Sequence, residues 1–302
     1  MSTQTARLID QANLASLVPS TIKWEQLERG RLEVAYGVMR AGPLFISSRT
    51  FNLAFHGHAQ IMPGKAGLIA IETAADARWR GAAFDFDSIA IGHEELDVRT
   101  HGPSALLAVT IDENELNAHA PGSLDAADVV QKLADNKIVR NQNAAARLRG
   151  AIRFACAGQS MIPPALSGTL IPLLAATLED IDGYAMERSR CLNRRYAAVR
   201  ACETYMREHI DETVTLLDLS QLCGMRSRSL INAFEAITGF SPMHYLKRLR
   251  LSGANRMLQL ADPRSTRVID VATEWGFWHM GHFATDYRTM FGEPPSQTLS
   301  RR

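Results

Sequence analysis

The chain has 302 residues, with 33 Lys+Arg against 32 Asp+Glu, and 46% of its residues are apolar. This balance is typical of a soluble globular protein, and it excludes a collagen-like chain, a disulfide scaffold and a wholly disordered chain. At about 150 residues per domain, the length predicts two domains, each large enough to bury its own core.

The N-terminus and the longest apolar run predict a cytoplasmic protein without a membrane span. Arg7 and Asp10 lie where a secretion signal would need a continuous apolar stretch. The apolar run near Leu170 to Leu178 has about half of the roughly 20 residues that cross a bilayer. Reduced thiols are expected, because no C-x-x-C pair occurs among Cys156, Cys191, Cys202 and Cys223.

Residues 30 to 115 are predicted to be mostly β-strands. Gly and Pro separate short runs rich in Val, Ile, Phe and Leu, namely LEVAYGVM, LFISS, FNLAFHGHAQI, AGLIAIET and SALLAVTI. This pattern is typical of an antiparallel sandwich or a small, cupin-like barrel. The sequence thus predicts an α+β protein whose β-rich N-terminal domain spans residues 1–190 and also holds helices over residues 123–190.

Three segments within residues 123–190 have the apolar spacing of α-helices. They are LDAADVVQKLADN, AAARLRGAIRFACAG and PALSGTLIPLLAATLEDI, with apolar residues three and four apart. Such helices can cover one end of the β unit or pair with a second subunit. Both arrangements, including a homodimer, stay open.

Residues 191–302 are predicted to be entirely helical and to contain an internal repeat. In the first copy Gly224 is followed by Gly239 and then Pro242. In the second copy Gly276 is followed by Gly292 and then Pro295, at nearly the same spacing. We therefore predict two helix-turn-helix motifs, over residues 215–238 and 267–291.

The first copy begins at Thr215, which can cap a short helix together with Asp218, and its turn contains Gly224. A second helix from about residue 226 to 238 buries Leu230, Phe234 and Ile237. Its opposite face is predicted to enter a DNA major groove. The DNA-binding residues predicted on this face are Arg226, Ser227, Arg228, Ser229 and Asn232.

The second copy has the same plan. Its bracing helix carries Val271, Ala272 and Trp275, the turn contains Gly276 and Phe277, and the buried face of the next helix is predicted from Phe283, Tyr287 and Phe291. The DNA-binding residues predicted here are Trp278, His279, Met280, His282, Thr285 and Arg288.

A helix of about 19 residues connects the copies over SPMHYLKRLRLSGANRMLQL, and it would be roughly 28 Å long. That length is near the roughly 34 Å repeat of B-DNA, so one chain could contact two adjacent major-groove segments. The net positive charge of this part of the chain weakly supports DNA binding, because residues 191–302 hold 15 Lys+Arg and 11 Asp+Glu. The alternative is a helical bundle without DNA-binding function.

Residues 193 to 302 resemble the DNA-binding domain of the AraC/XylS family of bacterial transcription regulators. The resemblance lies in RLRLSGANRML and in DVATEWGFWHMGHFATDYRTMFGEPPSQTL, and GFWHMGHFATDYR is most similar to the branch with ethanolamine-operon regulators. It implies an activator with two parts. The N-terminal domain senses a small-molecule effector, and the C-terminal domain binds promoter DNA and contacts RNA polymerase.

One departure from the family pattern affects base recognition. Many members have Ser, Gln or Arg at the start of the second recognition helix, where this chain has Trp278-His279-Met280-Gly281. Base contact there is expected to use thymine methyl groups and histidine. In the first copy Arg226, Arg228 and Asn232 can form bidentate hydrogen bonds with bases or contact phosphates, and both roles stay open.

In the N-terminal domain His56 and His58 are two apart on a predicted strand, so both side chains lie on one face. They could bind one metal ion, but Met62-Pro63 occupy the place where an H-x-H metal site would have a glutamate. We therefore predict no metal and no cofactor, and an effector pocket with Phe55, His56 and His58. Catalytic residues are not predicted, since G-x-S-x-G, Walker A, G-x-G-x-x-G and H-E-x-x-H are all absent.

The sequence therefore predicts a ligand-responsive transcription regulator and no enzyme. Two alternatives come from other classes of protein. One is a metal-dependent, cupin-like enzyme with a helical appendage, and the other is a helical adaptor that binds proteins only. The effector, the target operon and the choice between activation and repression are left open.

Overall fold

A computed structural model describes residues 6–7, 20–93, 95–119, 138–156, 168, 170–172, 174–175 and 186–301. The chain divides into two compact units. The first, here the β unit, comprises residues 1–24 and 32–189. The second, here the helical unit, comprises residues 25–31 and 190–302.

The β unit is built on one antiparallel sheet. Its strands are β1 (Ala6–Arg7), β2 (Ser20–Gln26), β3 (Val34–Ala41), β4 (Leu44–Phe51), β5 (Phe55–Ile61), β6 (Lys65–Trp79), β7 (Ala82–Phe84), β8 (Ser88–His93), β9 (Glu95–Asp112) and β10 (Ile138–Arg140). The strand order is β1-β3-β4-β9-β6-β8-β10, while β2 pairs with β5, β5 with β9 and β7 with β6. Helix α1 (Glu113–Ala118) follows β9, and α2 (Gln142–Cys156) follows β10.

Both faces of the central strands are buried. On β6, Leu68 packs in a cluster with residues of α2, such as Leu148. Its neighbour Ile69 packs in a different cluster, with Phe51 and Trp79. Successive side chains on a strand point to opposite faces, so the two clusters cover the two sides of the sheet. This burial explains why these strands have continuous apolar runs instead of strict alternation.

The predicted β-rich region is confirmed. The five predicted runs fall largely in β3, β4, β5, β6 and β9, and the described part of the predicted helix AAARLRGAIRFACAG, residues 144–156, lies in α2. The predicted helix LDAADVVQKLADN lies outside the described residues. In the segment PALSGTLIPLLAATLEDI the described residues 168, 170–172 and 174–175 are helical. Strand β8 was not predicted, because its run SIAIGH is short and lies between turns.

The helical unit is formed by seven helices among the described residues. They are α3 (Met186–Glu208), α4 (Leu216–Cys223), α5 (Ser227–Thr238), α6 (Pro242–Leu260), α7 (Val268–Glu274), α8 (Met280–Phe291) and α9 (Pro295–Leu299). The predicted helical C-terminal part is confirmed. Helix α6 has the 19 residues that the sequence indicated.

Helix α6 contributes to two separate cores. Its first half places Leu246 and Leu249 in a cluster with α3, α4 and α5. Its second half places Ala254 and Leu258 in a cluster with α7 and α8. The long helix is therefore the element that the two helix pairs share.

The segment Glu25–Arg31 is part of the helical unit, although the sequence placed it in the N-terminal domain. The Tyr245 hydroxyl donates a 2.6 Å hydrogen bond to Glu25 Oε2. The Gly30 amide donates a 2.9 Å bond to the carbonyl oxygen of Met290. These partners are more than 200 residues apart in sequence, and local patterns do not predict such contacts.

Within the described part of the chain, none of the helices has both the length and the apolar character required to span a membrane.

Candidate nucleic-acid interface

The first helix pair, α4 and α5, begins with a complete capping box. The Asp218 amide donates to Thr215 Oγ1 at 3.3 Å, and the Thr215 amide donates to Asp218 Oδ2 at 2.8 Å. These two bonds satisfy amides that a helix start leaves without partners. The hydrogen bonds from Thr215 also hold the pKa of the exposed Asp218 carboxyl below its ordinary value.

The turn between α4 and α5 depends on Gly224. Its φ of 62° lies in the left-handed region, which glycine adopts at little cost. The Met225 amide then donates to the Ser220 carbonyl at 3.1 Å, which closes the end of α4. The predicted cap and turn of the first copy are therefore present.

Helix α5 buries the predicted apolar face, with Leu230, Phe234 and Ile237 in the first core. Arg226 lies immediately before the helix as its N-cap residue, so the helix begins one residue later than predicted. The side chains exposed as predicted are Arg226, Arg228, Ser229 and Asn232. Ser227 differs, because it is half-buried and its hydroxyl lies 3.0 Å from that of Ser220.

In the second helix pair, α7 and α8, the turn depends on Gly276. Its φ is 71°, and a Cβ at this position would lie 2.8 Å from the carbonyl oxygen of Ile210. Glycine is therefore required both by the backbone conformation and by the close approach of Ile210, which follows the end of α3. The Phe277 amide donates to the Ala272 carbonyl at 2.9 Å and closes the turn.

Helix α8 presents most of its predicted face to solvent. His282, Thr285 and Arg288 are exposed. Trp278 and His279 precede the helix, His279 is its N-cap residue, and Trp278 is 67% exposed. Met280 corrects the prediction of a fully exposed face, because it is half-buried against the second core.

Three exposed residues of α8 were missed by sequence reasoning: Gly281, Ala284 and Thr289. They lie beside the predicted face, and small side chains there allow another surface to approach the helix backbone closely. Their spacing from His282, Thr285 and Arg288 was the available signal, since residues three and four apart share a helix face.

Two sets of cations in the helical unit differ in their surroundings. One group is engaged inside the unit: Arg250 donates to the Ile210 carbonyl at 2.7 Å, Lys247 pairs with Asp286 at 2.6 Å, and Arg267 pairs with Asp270. In the second group are Arg226, Arg228 and Arg288, which are exposed on the two helix pairs. Among the described residues no carboxylate pairs with these three guanidinium groups, so their charge is available to an anionic partner.

The effector candidates of the β unit lie on β5 but do not share one face. Phe55 stacks on Phe51 with ring centroids 3.6 Å apart and belongs to the apolar core. His56 and His58 point to the opposite side, and both lie against Asp97 of β9. The structure thus brings the two histidines together and separates them from Phe55.

Asp97 is the residue of this cluster that sequence reasoning missed. His56 Nε2 lies 3.1 Å from Asp97 Oδ1, and His58 Nδ1 lies 3.1 Å from Asp97 Oδ2. Burial raises the pKa of the Asp97 carboxyl, but the two imidazoles outweigh this effect and hold the pKa well below its ordinary value. Asp97 is 39 residues from His58, and the strand register that joins them was not visible in the sequence.

Comparison with known proteins relates the helical unit to regulators of transcription. Residues 219–301 match the family model described as a helix-turn-helix domain. The "Probable thc operon regulatory protein" of Rhodococcus erythropolis is 37% identical over 101 residues, which are 33% of this chain and 30% of that protein. The "XylDLEGF operon transcriptional activator 2" of Pseudomonas putida is 36% identical over 96 residues, which are 32% of this chain and 61% of that protein.

A solved structure matches the same part of the chain. It is a probable AraC family transcriptional regulator from Rhodopseudomonas palustris, with 42% sequence identity over 35% of this chain and 96% of that one, and a TM-score of 0.32. The similarity to the two curated relatives covers less than two thirds of their length, and all three are described as regulators. Residues 219–301 therefore match a helix-turn-helix domain, and the helical unit is similar to the corresponding part of bacterial transcription regulators.

Proposed function

We propose that the chain is an effector-responsive activator whose two helix pairs act as two helix-turn-helix motifs on adjacent major-groove segments of one promoter. The observation that carries this proposal is the position of Arg226, Arg228 and Arg288. They are exposed at α5 and α8, while Arg250 and Lys247 of the connecting helix are engaged inside the unit.

The two halves are proposed to contact DNA differently. At α5, two guanidinium groups and the Asn232 amide offer hydrogen bonds to base edges or phosphates. At α8, Trp278 and two histidines offer apolar contact with thymine methyl groups and imidazole hydrogen bonds. We therefore expect one half-site to be recognised mainly through hydrogen bonds. The other half-site is expected to be rich in thymine.

Activation is proposed because the Pseudomonas relative is a transcriptional activator by name. An activator increases transcription by helping RNA polymerase at its promoter, so RNA polymerase is the second proposed partner. The β unit is proposed to bind a small-molecule effector near His56 and His58, whose buried polar groups differ from the apolar packing around them. The effector would favour the DNA-bound state by binding it more tightly.

The test is DNA binding by the full chain. Random-sequence selection would first give a preferred site, and mobility shifts would then measure affinity at several salt concentrations. We expect the logarithm of the affinity to fall linearly with the logarithm of salt, with a slope near −0.9 for each phosphate neutralised. Arg228→Ala should weaken binding to the preferred site by about 5-fold to 100-fold.

The matched control is Arg147→Ala. It removes one exposed guanidinium group from α2 of the β unit, so the change in net charge is the same. It should leave the affinity for the preferred site unchanged within about twofold. The proposal fails if selection gives no preferred sequence, or if Arg147→Ala and Arg228→Ala weaken binding equally.

A further inference from the structure

The β unit contains a set of three metal-ligating side chains that the DNA-binding function does not use. His56 and His58 lie on β5, and Asp97 lies on the neighbouring strand β9. All three are buried, with exposures of 0%, 7% and 1%. A carboxylate in such an environment requires a compensating positive charge close to it.

The strand register explains why these groups meet. In the antiparallel pair β5·β9, His58 lies directly opposite Asp97, and His56 lies opposite Arg99. Opposite residues share a face, and residues two apart on one strand share it as well. The pairing of β5 with β9 therefore places the two imidazoles and the carboxylate on the same face of the sheet, next to one another.

Their distances approach those of a metal site. Each imidazole nitrogen lies 3.1 Å from a different oxygen of Asp97. In a tetrahedral zinc site with bonds of about 2.0 to 2.1 Å, neighbouring ligand atoms are about 3.3 Å apart.

The sequence argued against a metal because Met62 and Pro63 occupy the place of the expected glutamate on the histidine strand. In the structure, the adjacent strand supplies a carboxylate instead. Two histidines and one carboxylate form a donor set that suits Zn²⁺ and other divalent transition metals, and three protein ligands leave a coordination position open.

We propose that His56, His58 and Asp97 bind one divalent transition-metal ion in the β unit, with Zn²⁺ as its experimental probe. The open coordination position would then accept a small anionic or hydroxyl-bearing ligand. This inference does not rest on DNA binding, because metal binding can be measured without DNA. Its failure would leave the proposed regulatory function intact.

The experiment is a titration of the chelator-treated full chain with Zn²⁺, followed by calorimetry and by elemental analysis after dialysis. We expect one equivalent of zinc per chain. Asp97→Asn and His58→Gln should each weaken zinc binding at least about 100-fold, because loss of a partner that only touches a ligand already costs 10- to 100-fold.

The matched control is His93→Gln. His93 Nε2 lies 2.8 Å from Glu113 Oε1, so it is another histidine–carboxylate pair of the same unit. Its substitution should leave zinc affinity unchanged. Equal loss in His93→Gln and His58→Gln, or wild-type affinity in both Asp97→Asn and His58→Gln, overturns the proposal.

If the variants do not fold, a second measurement on the wild-type chain tests the proposed metal site. Co²⁺ held by four nitrogen and oxygen ligands absorbs visible light much more strongly than the hydrated ion does. We expect this absorption to appear in the wild-type chain, to saturate at one equivalent and to disappear when Zn²⁺ is added. An unchanged hydrated-ion spectrum overturns the proposal.

Discussion

The indole ring of Trp275 occupies the space beside Gly253 that a side chain on residue 253 would fill. Gly253 lies in the second half of α6, and Trp275 lies at the end of α7. The contact therefore joins the connecting helix to the turn that leads into α8. A glycine inside a helix weakens it by roughly 0.5 to 1 kcal/mol relative to alanine, so its presence here reflects the packing of the ring.

Gly253→Ala is the first prediction. The added methyl group meets an aromatic ring, so the ring or the helix has to move, and such overpacking costs typically about 1 to 3 kcal/mol. We expect a loss of that size in the free energy of unfolding, measured with urea. Gly281→Ala is the control, because a Cβ there meets nothing within 4 Å. A loss in the control equal to that in Gly253→Ala would contradict the packing explanation.

The two tryptophans beside the second turn should behave in opposite ways. Trp278 is 67% exposed, so Trp278→Ala should change the free energy of unfolding by less than about 0.5 kcal/mol. It should nevertheless weaken binding to the preferred DNA site. Trp275→Ala removes a ring that packs on α6, and it should cost about 3 kcal/mol. Urea unfolding and mobility shifts on both variants test this, and equal stabilities for the two would contradict it.

Tyr287 predicts a dependence of stability on alkaline pH. Its hydroxyl donates to Thr298 Oγ1 at 2.9 Å and accepts from the Asn255 amide at 2.6 Å. Burial raises the pKa of Tyr287 from 10.0 to about 12. Because the unfolded phenol loses its proton first, this stabilisation is complete below pH 10 and is lost as the pH rises toward 12.

We therefore expect the free energy of unfolding of the wild type to fall more steeply between pH 10 and pH 12 than that of Tyr287→Phe. At neutral pH the variant should lose about 1 kcal/mol with its hydrogen bonds. Tyr205→Phe, on α3, is the control for the loss of one phenol elsewhere in the helical unit. Parallel pH profiles for the wild type and Tyr287→Phe would show that Tyr287 does not carry this effect.

The capping box at α4 gives the last prediction. Thr215→Ala removes the hydroxyl that accepts from the Asp218 amide, and loss of such a cap costs typically about 1 kcal/mol. Thr215→Ser keeps the hydroxyl and should retain most of the stability. Thermal unfolding of both variants measures the difference, and a serine variant as unstable as the alanine variant would contradict the role of the hydroxyl.

Local features of the fold could be predicted from the sequence because their causes lie within a few residues. Thr215, Asp218 and Gly224 specify a cap and a turn through bonds that span at most five positions. The apolar spacing of Leu230 and Phe234 likewise specified the buried face of α5. Arg228 and Asn232 were assigned to the exposed face by the same period.

Features that depend on distant pairing could not be predicted. The contact of Tyr245 with Glu25 joins residues 220 positions apart. The meeting of His58 with Asp97 depends on a strand register, and a shift of one residue would turn Asp97 to the other side of the sheet. Met280 was assigned to the exposed face because the helical period divides a helix into only two faces. In the structure it lies at the half-buried boundary between them.

The sharing of α6 between two cores has a consequence for changes in chain length. An α-helix turns by about 100° for each residue, since it has 3.6 residues per turn. Insertion of one residue near the middle of α6 would rotate the whole second core, and Arg288 with it, around the helix axis. Insertion of seven residues, close to two full turns, would preserve the angular phase. Relatives with a longer α6 are therefore expected to have insertions that correspond to nearly whole helical turns.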